Sequence, residues 1–134
     1  MKPIALITRY VDSAAIDLLT SVCEVMPRVA LASHSHQEIA LFAGCADALL
    51  VATPERIDDA LLRDFRRLRV VACAFRIPEH VDIAACTRRG IWVTNVMARH
   101  PGAEAEIEAA RNILDVLGGD TPRGALNEVL QPAA

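Results

Sequence analysis

Aromatic side chains are scarce in this sequence, only 4% of 134 residues, and Lys2 is its sole lysine. A core must therefore be filled by Ala, Val, Leu and Ile, and the hydrophobic content of 53% supplies them. That content excludes a disordered polar chain. No apolar run approaches the roughly 20 residues that span a bilayer. Residues 1–8 turn polar too soon for a signal peptide, so the expectation is a cytoplasmic protein with no membrane partner. With a formal net charge of −3, nothing suggests a nucleic acid partner. Cys23, Cys45, Cys73 and Cys86 form no C-x-x-C pair and sit among apolar residues, as small buried hydrophobes do. His34 and His36 have no neighbouring Cys, His or carboxylate set to complete a metal site, so none is expected.

What is present is an alternation of strand-like and helix-like segments. Residues 4–8 are a short apolar run, as in a strand buried on both faces. Asp12 or Ser13 can cap a helix bearing Ile16, Leu19 and Val22. Residues 24–26 form a second strand, ended by Pro27. Ser35 and Glu38 make a capping box for a helix that Gly44 stops. Residues 46–52 read as a third strand, ended by Thr53-Pro54, and Ile57, Leu61 and Phe65 then share one helical face. Arg63, Arg66, Arg67 and Arg69 are most simply a solvated helix end and turn. Residues 69–75 and 91–96 are the fourth and fifth strands, with a short helix over 82–88 between them. The last helix spans 103–117, with Ala103, Ile107, Ala110, Leu114 and Leu117 on one stripe. These repeated units predict an α/β, flavodoxin-like three-layer sandwich around a five-stranded parallel sheet of order 2-1-3-4-5. Ligands of such sheets bind at the carboxyl ends of the strands, so the loops at 8–12, 52–55 and 75–79 are the ones to examine.

Those loops lack several familiar chemistries. The first turn, Thr8-Arg9-Tyr10-Val11-Asp12, has no glycine to admit a dinucleotide pyrophosphate. No P-loop occurs, and the third strand ends in Thr53-Pro54 rather than a phosphoacceptor Asp. His80 lies between Glu79 and Asp82 and could transfer a proton with one of them. The simpler reading makes Asp82 a helix cap and His80 a surface residue.

The middle of the chain carries a recognisable pattern. Leu68-Arg69-Val70-Val71-Ala72-Cys73-Ala74-Phe75-Arg76, followed by Val81-Asp82-Ile83-Ala84-Ala85-Cys86-Thr87-Arg88-Arg89-Gly90-Ile91-Trp92, resembles the substrate domain of D-2-hydroxyacid dehydrogenases. The wording around Cys73 and Cys86 is most similar to phosphite dehydrogenases. A second block, Glu106-Ile107-Glu108-Ala109-Ala110-Arg111-Asn112-Ile113-Leu114-Asp115-Val116-Leu117, resembles the final helix of those enzymes.

The resemblance implies one substrate-binding domain built from two family segments, about 1–97 and 104–130, joined by a Pro-Gly linker at about 98–103. In the family an NAD-binding domain lies between such blocks and carries the Arg, Glu and His of hydride transfer. The resemblance therefore implies no catalytic residue, no cofactor-binding residue and no cofactor in this chain, as in an engineered truncation inactive by itself. It also implies that Thr53 lines the substrate pocket and that Arg76 is the basic residue of an anion-binding loop. Ile77 replaces a usual glycine there, and Pro78 removes an N–H donor. The expected partner is a small oxyanion or 2-hydroxy acid. The apolar surface left by a missing domain could instead drive homodimer formation.

Overall fold

In the computed structural model, residues 2–26 and 41–130 are described. The helix expected behind Ser35 and Glu38, together with His34 and His36, lies mostly outside those residues. The described elements are strands β1 (Ile4–Ile7), β2 (Glu24–Met26), β3 (Ala48–Val51), β4 (Val70–Cys73) and β5 (Trp92–Thr94). The helices are α1 (Ser13–Thr20), α2 (Asp59–Leu62), α3 (Ile83–Arg88) and α4 (Ala103–Leu117). All strand pairs are parallel, and the order is β2-β1-β3-β4-β5, as the alternating pattern predicts.

Alternation along each strand explains why both sheet faces are apolar. Ala5, Ile7, Leu50, Val70 and Ala72 face one core, shared with Ala15 and Leu19 of α1 and with α4. Leu6, Leu49, Val51, Val71 and Cys73 face the other, shared with α2 and α3. A side chain period of two on strands covered by helices on both sides leaves no polar face. Each short helix is started by an aspartate. Asp12 accepts from the Ala14 N–H at 2.9 Å, Asp58 from Leu61 at 2.9 Å and Asp82 from Ala85 at 2.9 Å. Such caps typically contribute about 1 kcal/mol each.

Several boundaries differ from the sequence expectation. The third strand is 48–51 rather than 46–52, and the fourth and fifth are likewise trimmed to the paired residues. Val22 is exposed, and Ala15 rather than Ile16 is the fully buried partner of Leu19. The segment with Ile57, Leu61 and Phe65 buries all three, yet only α2 is helical, because Ile57 forms an isolated parallel bridge to Val81. On α4 the buried face is Ala105, Ala109, Asn112, Ile113 and Val116, and of the expected stripe only Ala110 is fully buried. Small alanines let α4 approach the sheet and α1 closely, which places Ile107 and Leu117 at the border of the contact.

The segment after α4 closes the edge of the sheet. Ala125 forms an antiparallel bridge with Thr94, and the Leu126 N–H donates to the Val93 carbonyl at 2.8 Å. Asn127 accepts from the Val93 N–H and donates to the Ile91 carbonyl, both at 2.9 Å. An exposed β5 edge is thus covered, which removes a template for strand addition.

Candidate functional site

The loop that follows β4 lies at the carboxyl edge of the sheet, where parallel α/β folds place their ligands. Its start is fixed by the Ala74 N–H, which donates to the Val51 carbonyl at 2.9 Å. Beyond it Arg76 is exposed and forms no ion pair among the described residues. The backbone N–H groups of Arg76 and Ile77 also have no protein partner among the described residues. By contrast the Arg76 carbonyl is engaged, accepting from Asn95 Nδ2 at 2.9 Å. Acceptor capacity is thus occupied on this loop while donors are left available. An anion is the natural complement.

The loop is held from behind by a polar chain. The Asn95 carbonyl accepts from Asn112 Nδ2 at 3.0 Å, and Asn112 Oδ1 accepts from the Gly124 N–H at 3.0 Å. Asn112 is only 3% exposed, so its amide is satisfied inside the core. A Cβ at Gly124 would overlap the Asn95 carbonyl oxygen and come within 2.7 Å of Asn112 Nδ2, which is why that position is glycine.

A cleft of about 410 Å³ opens beside the loop. Arg76, Ile77 and His80 line one part of it, Ala52 and Pro54 another, and Arg99, His100 and Pro101 a third. Thr53 lies next to the cleft rather than in its lining, because its hydroxyl donates to Glu55 Oε1 at 2.8 Å. Ile77 is 71% exposed at the mouth, whereas Pro78 is buried and accepts from the Val81 N–H at 3.2 Å. His80 is not joined to Asp82, whose carboxylate is used as the cap of α3. No acid–base pair is therefore assembled there. Among the described residues no group of His, Cys, Asp or Glu is placed to hold a metal ion, and no helix is long and apolar enough to cross a membrane.

The position that would receive a dinucleotide pyrophosphate, the N-terminus of α1, does not fit one. Asp12 caps that terminus, and Glu106 Oε1 accepts from the Asp12 N–H at 2.8 Å. Two carboxylates stand where a diphosphate would need free donors.

The Asn95–Asn112–Gly124 chain and the contribution of Arg99 and His100 were not visible in the sequence. The resemblance marks 98–103 only as a linker between two blocks, with no binding role, and a polar residue within an alanine-rich helix reads as its outer face.

Residues 5–108 match the family described as D-isomer specific 2-hydroxyacid dehydrogenase, catalytic domain. The chain belongs to this family. The glyoxylate reductase of Thermococcus gammatolerans is 35% identical over 103 residues, covering 71% of this chain and 28% of that protein. The chain spans between 22% and 36% of the length of the curated relatives it matches. A crystal structure of a protein from Pyrococcus horikoshii superposes with a TM-score of 0.64 at 25% identity, covering 72% of this chain and 28% of that one. An NAD-binding structure from a Polaromonas species covers 98% of this chain and 45% of its own, at a TM-score of 0.62 and 21% identity, a likeness of fold alone.

Proposed function

We propose that this chain is the substrate half-site of an NAD-dependent 2-hydroxyacid or phosphite dehydrogenase, binding a small carboxylate or oxyanion without turning it over. The single observation that carries this reading is the unpaired Arg76 guanidinium beside the unpartnered N–H groups of Arg76 and Ile77. A guanidinium and adjacent backbone donors suit a carboxylate or phosphite oxygen pair. Pro78 leaves a gap in the donor series, so affinity is modest, on the order of millimolar for a small ligand that meets only half of a site.

Two further observations support the two-block reading of the chain, about 1–97 and 104–130. The junction at 98–103 joins β5 to α4 by a short irregular turn, and the 120–130 segment seats on β5. The family resemblance assigns the hydride-transferring groups to a nucleotide domain, and the α1 terminus offers carboxylates where a cofactor would need donors. The isolated chain accordingly does no redox chemistry. We place it in the cytoplasm.

Titration with lactate and with phosphite tests the reading. Arg76→Ala is expected to weaken binding by about tenfold, the scale of one charge-assisted contact, at an unchanged thermal midpoint. Equal binding by wild type and variant would contradict it.

A second reading, a self-associating module with no ligand, is favoured by the exposure of Ile77 (71%) and Met97 (68%) near the junction. Light scattering decides it: a concentration-independent monomer mass rules it out.

A further inference from the structure

We propose that the segment joining β5 to α4 turns the cleft into a site for a doubly charged small acid. Arg99 and His100 take the second anionic group while Arg76 holds the first. The inference rests on the anion-site reading above and extends it to a ligand class.

The cleft concentrates positive charge. Arg76 and His80 come from the loop after β4, Arg99 and His100 come from the junction, and no lining residue is acidic. The chain as a whole carries 17 acidic against 14 basic residues, so the local excess is not the overflow of a basic protein. Arg56 pairs with Asp58, Arg63 and Arg89 with Asp59, and Arg67 with Asp47, whereas exposed arginines outside the cleft such as Arg66 and Arg88 form no ion pair among the described residues. Arg76 and Arg99 have no ion pair among the described residues. A single carboxylate neutralises one of them and leaves the other without a counter-charge in a concave site, where fields are focused.

The junction is also pinned at both ends. The Met97 N–H donates to Glu108 Oε2 at 2.6 Å, and the Gly102 carbonyl accepts from the Glu106 N–H at 3.0 Å. Gly102 has φ +137°, a backbone conformation other residues rarely adopt, and it lets the chain turn directly from the cleft into α4. Glu104 and Glu108 border an adjoining groove that Arg99 and His100 also line, and neither forms an ion pair with Arg99 among the described residues. The rest of the cleft wall is apolar, with Ala52, Phe75, Ala98 and Pro101. A volume of about 410 Å³ accommodates a short hydrocarbon spacer between two charged ends. The class indicated is a dicarboxylate of roughly four carbons, or a hydroxy acid bearing a second oxyanion.

Succinate and butyrate, matched in carbon number, make the test. Each is titrated into the wild-type chain, Arg99→Ala, Arg76→Ala and Arg66→Ala, the last an exposed arginine remote from the cleft, with amide spectra confirming the fold. Wild type is expected to prefer succinate by about tenfold at low salt, and Arg99→Ala to reduce that preference to about twofold with butyrate affinity unchanged. Arg76→Ala weakens both ligands, and Arg66→Ala changes neither. Butyrate binding without a succinate preference overturns this inference alone. So does an equal loss of preference in Arg66→Ala, which would mark a general charge effect. Failure of both acids to bind overturns the anion site as well.

Discussion

Thr94 sits in β5 with no exposed surface, and its hydroxyl is the one buried side-chain polar atom without a hydrogen-bond partner among the described residues. A hydroxyl desolvated without compensation is a cost, so Thr94→Val should raise unfolding stability by about 1 kcal/mol, measured by urea denaturation. A loss of stability would mean that the hydroxyl has a partner. The cysteines contribute a second residue-level effect. Burial pushes the Cys73 and Cys86 thiols up to about 12 and Cys23 up to about 11, from an ordinary 9.0. Above pH 9 the unfolded chain releases these protons while the folded chain retains them, so the stability they contribute is lost between about pH 9 and 12. Urea midpoints at about pH 8 and about pH 10.5 should differ in that direction, and thiol reagents should react slowly until the chain unfolds. Burial of these thiols was legible from their apolar neighbours. Arg76 was legible only through the family resemblance, because nothing local separates it from the other arginines. Arg99 and His100 were illegible, since proximity across a turn leaves no mark on sequence spacing.

Element identity was more legible than element phase. The five strands and their order follow from alternation and the right-handed crossover rule. The phase of α4 does not, because reading large apolar residues as the core passed over Ala105 and Ala109, whose small side chains let the helix sit closely on its neighbours. The two phases separate by mutation. Ile113→Ala should cost about 2–5 kcal/mol, as for a fully buried large-to-small change, whereas Leu114→Ala on the half-buried flank should cost less than about 1.5 kcal/mol. The reverse ranking in urea unfolding would place the sequence-derived stripe in the core after all. The 120–130 segment was equally hard to foresee. Its attachment depends on Gly124 and Asn127 making backbone contacts that hydrophobic pattern does not encode.

At the scale of the molecule, the loop after β4 and the N-terminus of α1 present opposite chemistry. The carboxyl edge offers a cation and free N–H groups, while the α1 terminus, where a nucleotide would need donors, is occupied by Asp12 and Glu106. The half-site reading therefore expects this chain to recognise the acid and not the cofactor. The most direct test is an amide NMR titration of the isolated chain with a small 2-hydroxy acid and, separately, with NADH. The expected result is saturable shifts at Arg76 and Ile77 with the acid and none with NADH. Saturable NADH shifts at the β1–α1 turn, or NADH oxidation in the presence of a 2-oxo acid, would contradict the half-site account.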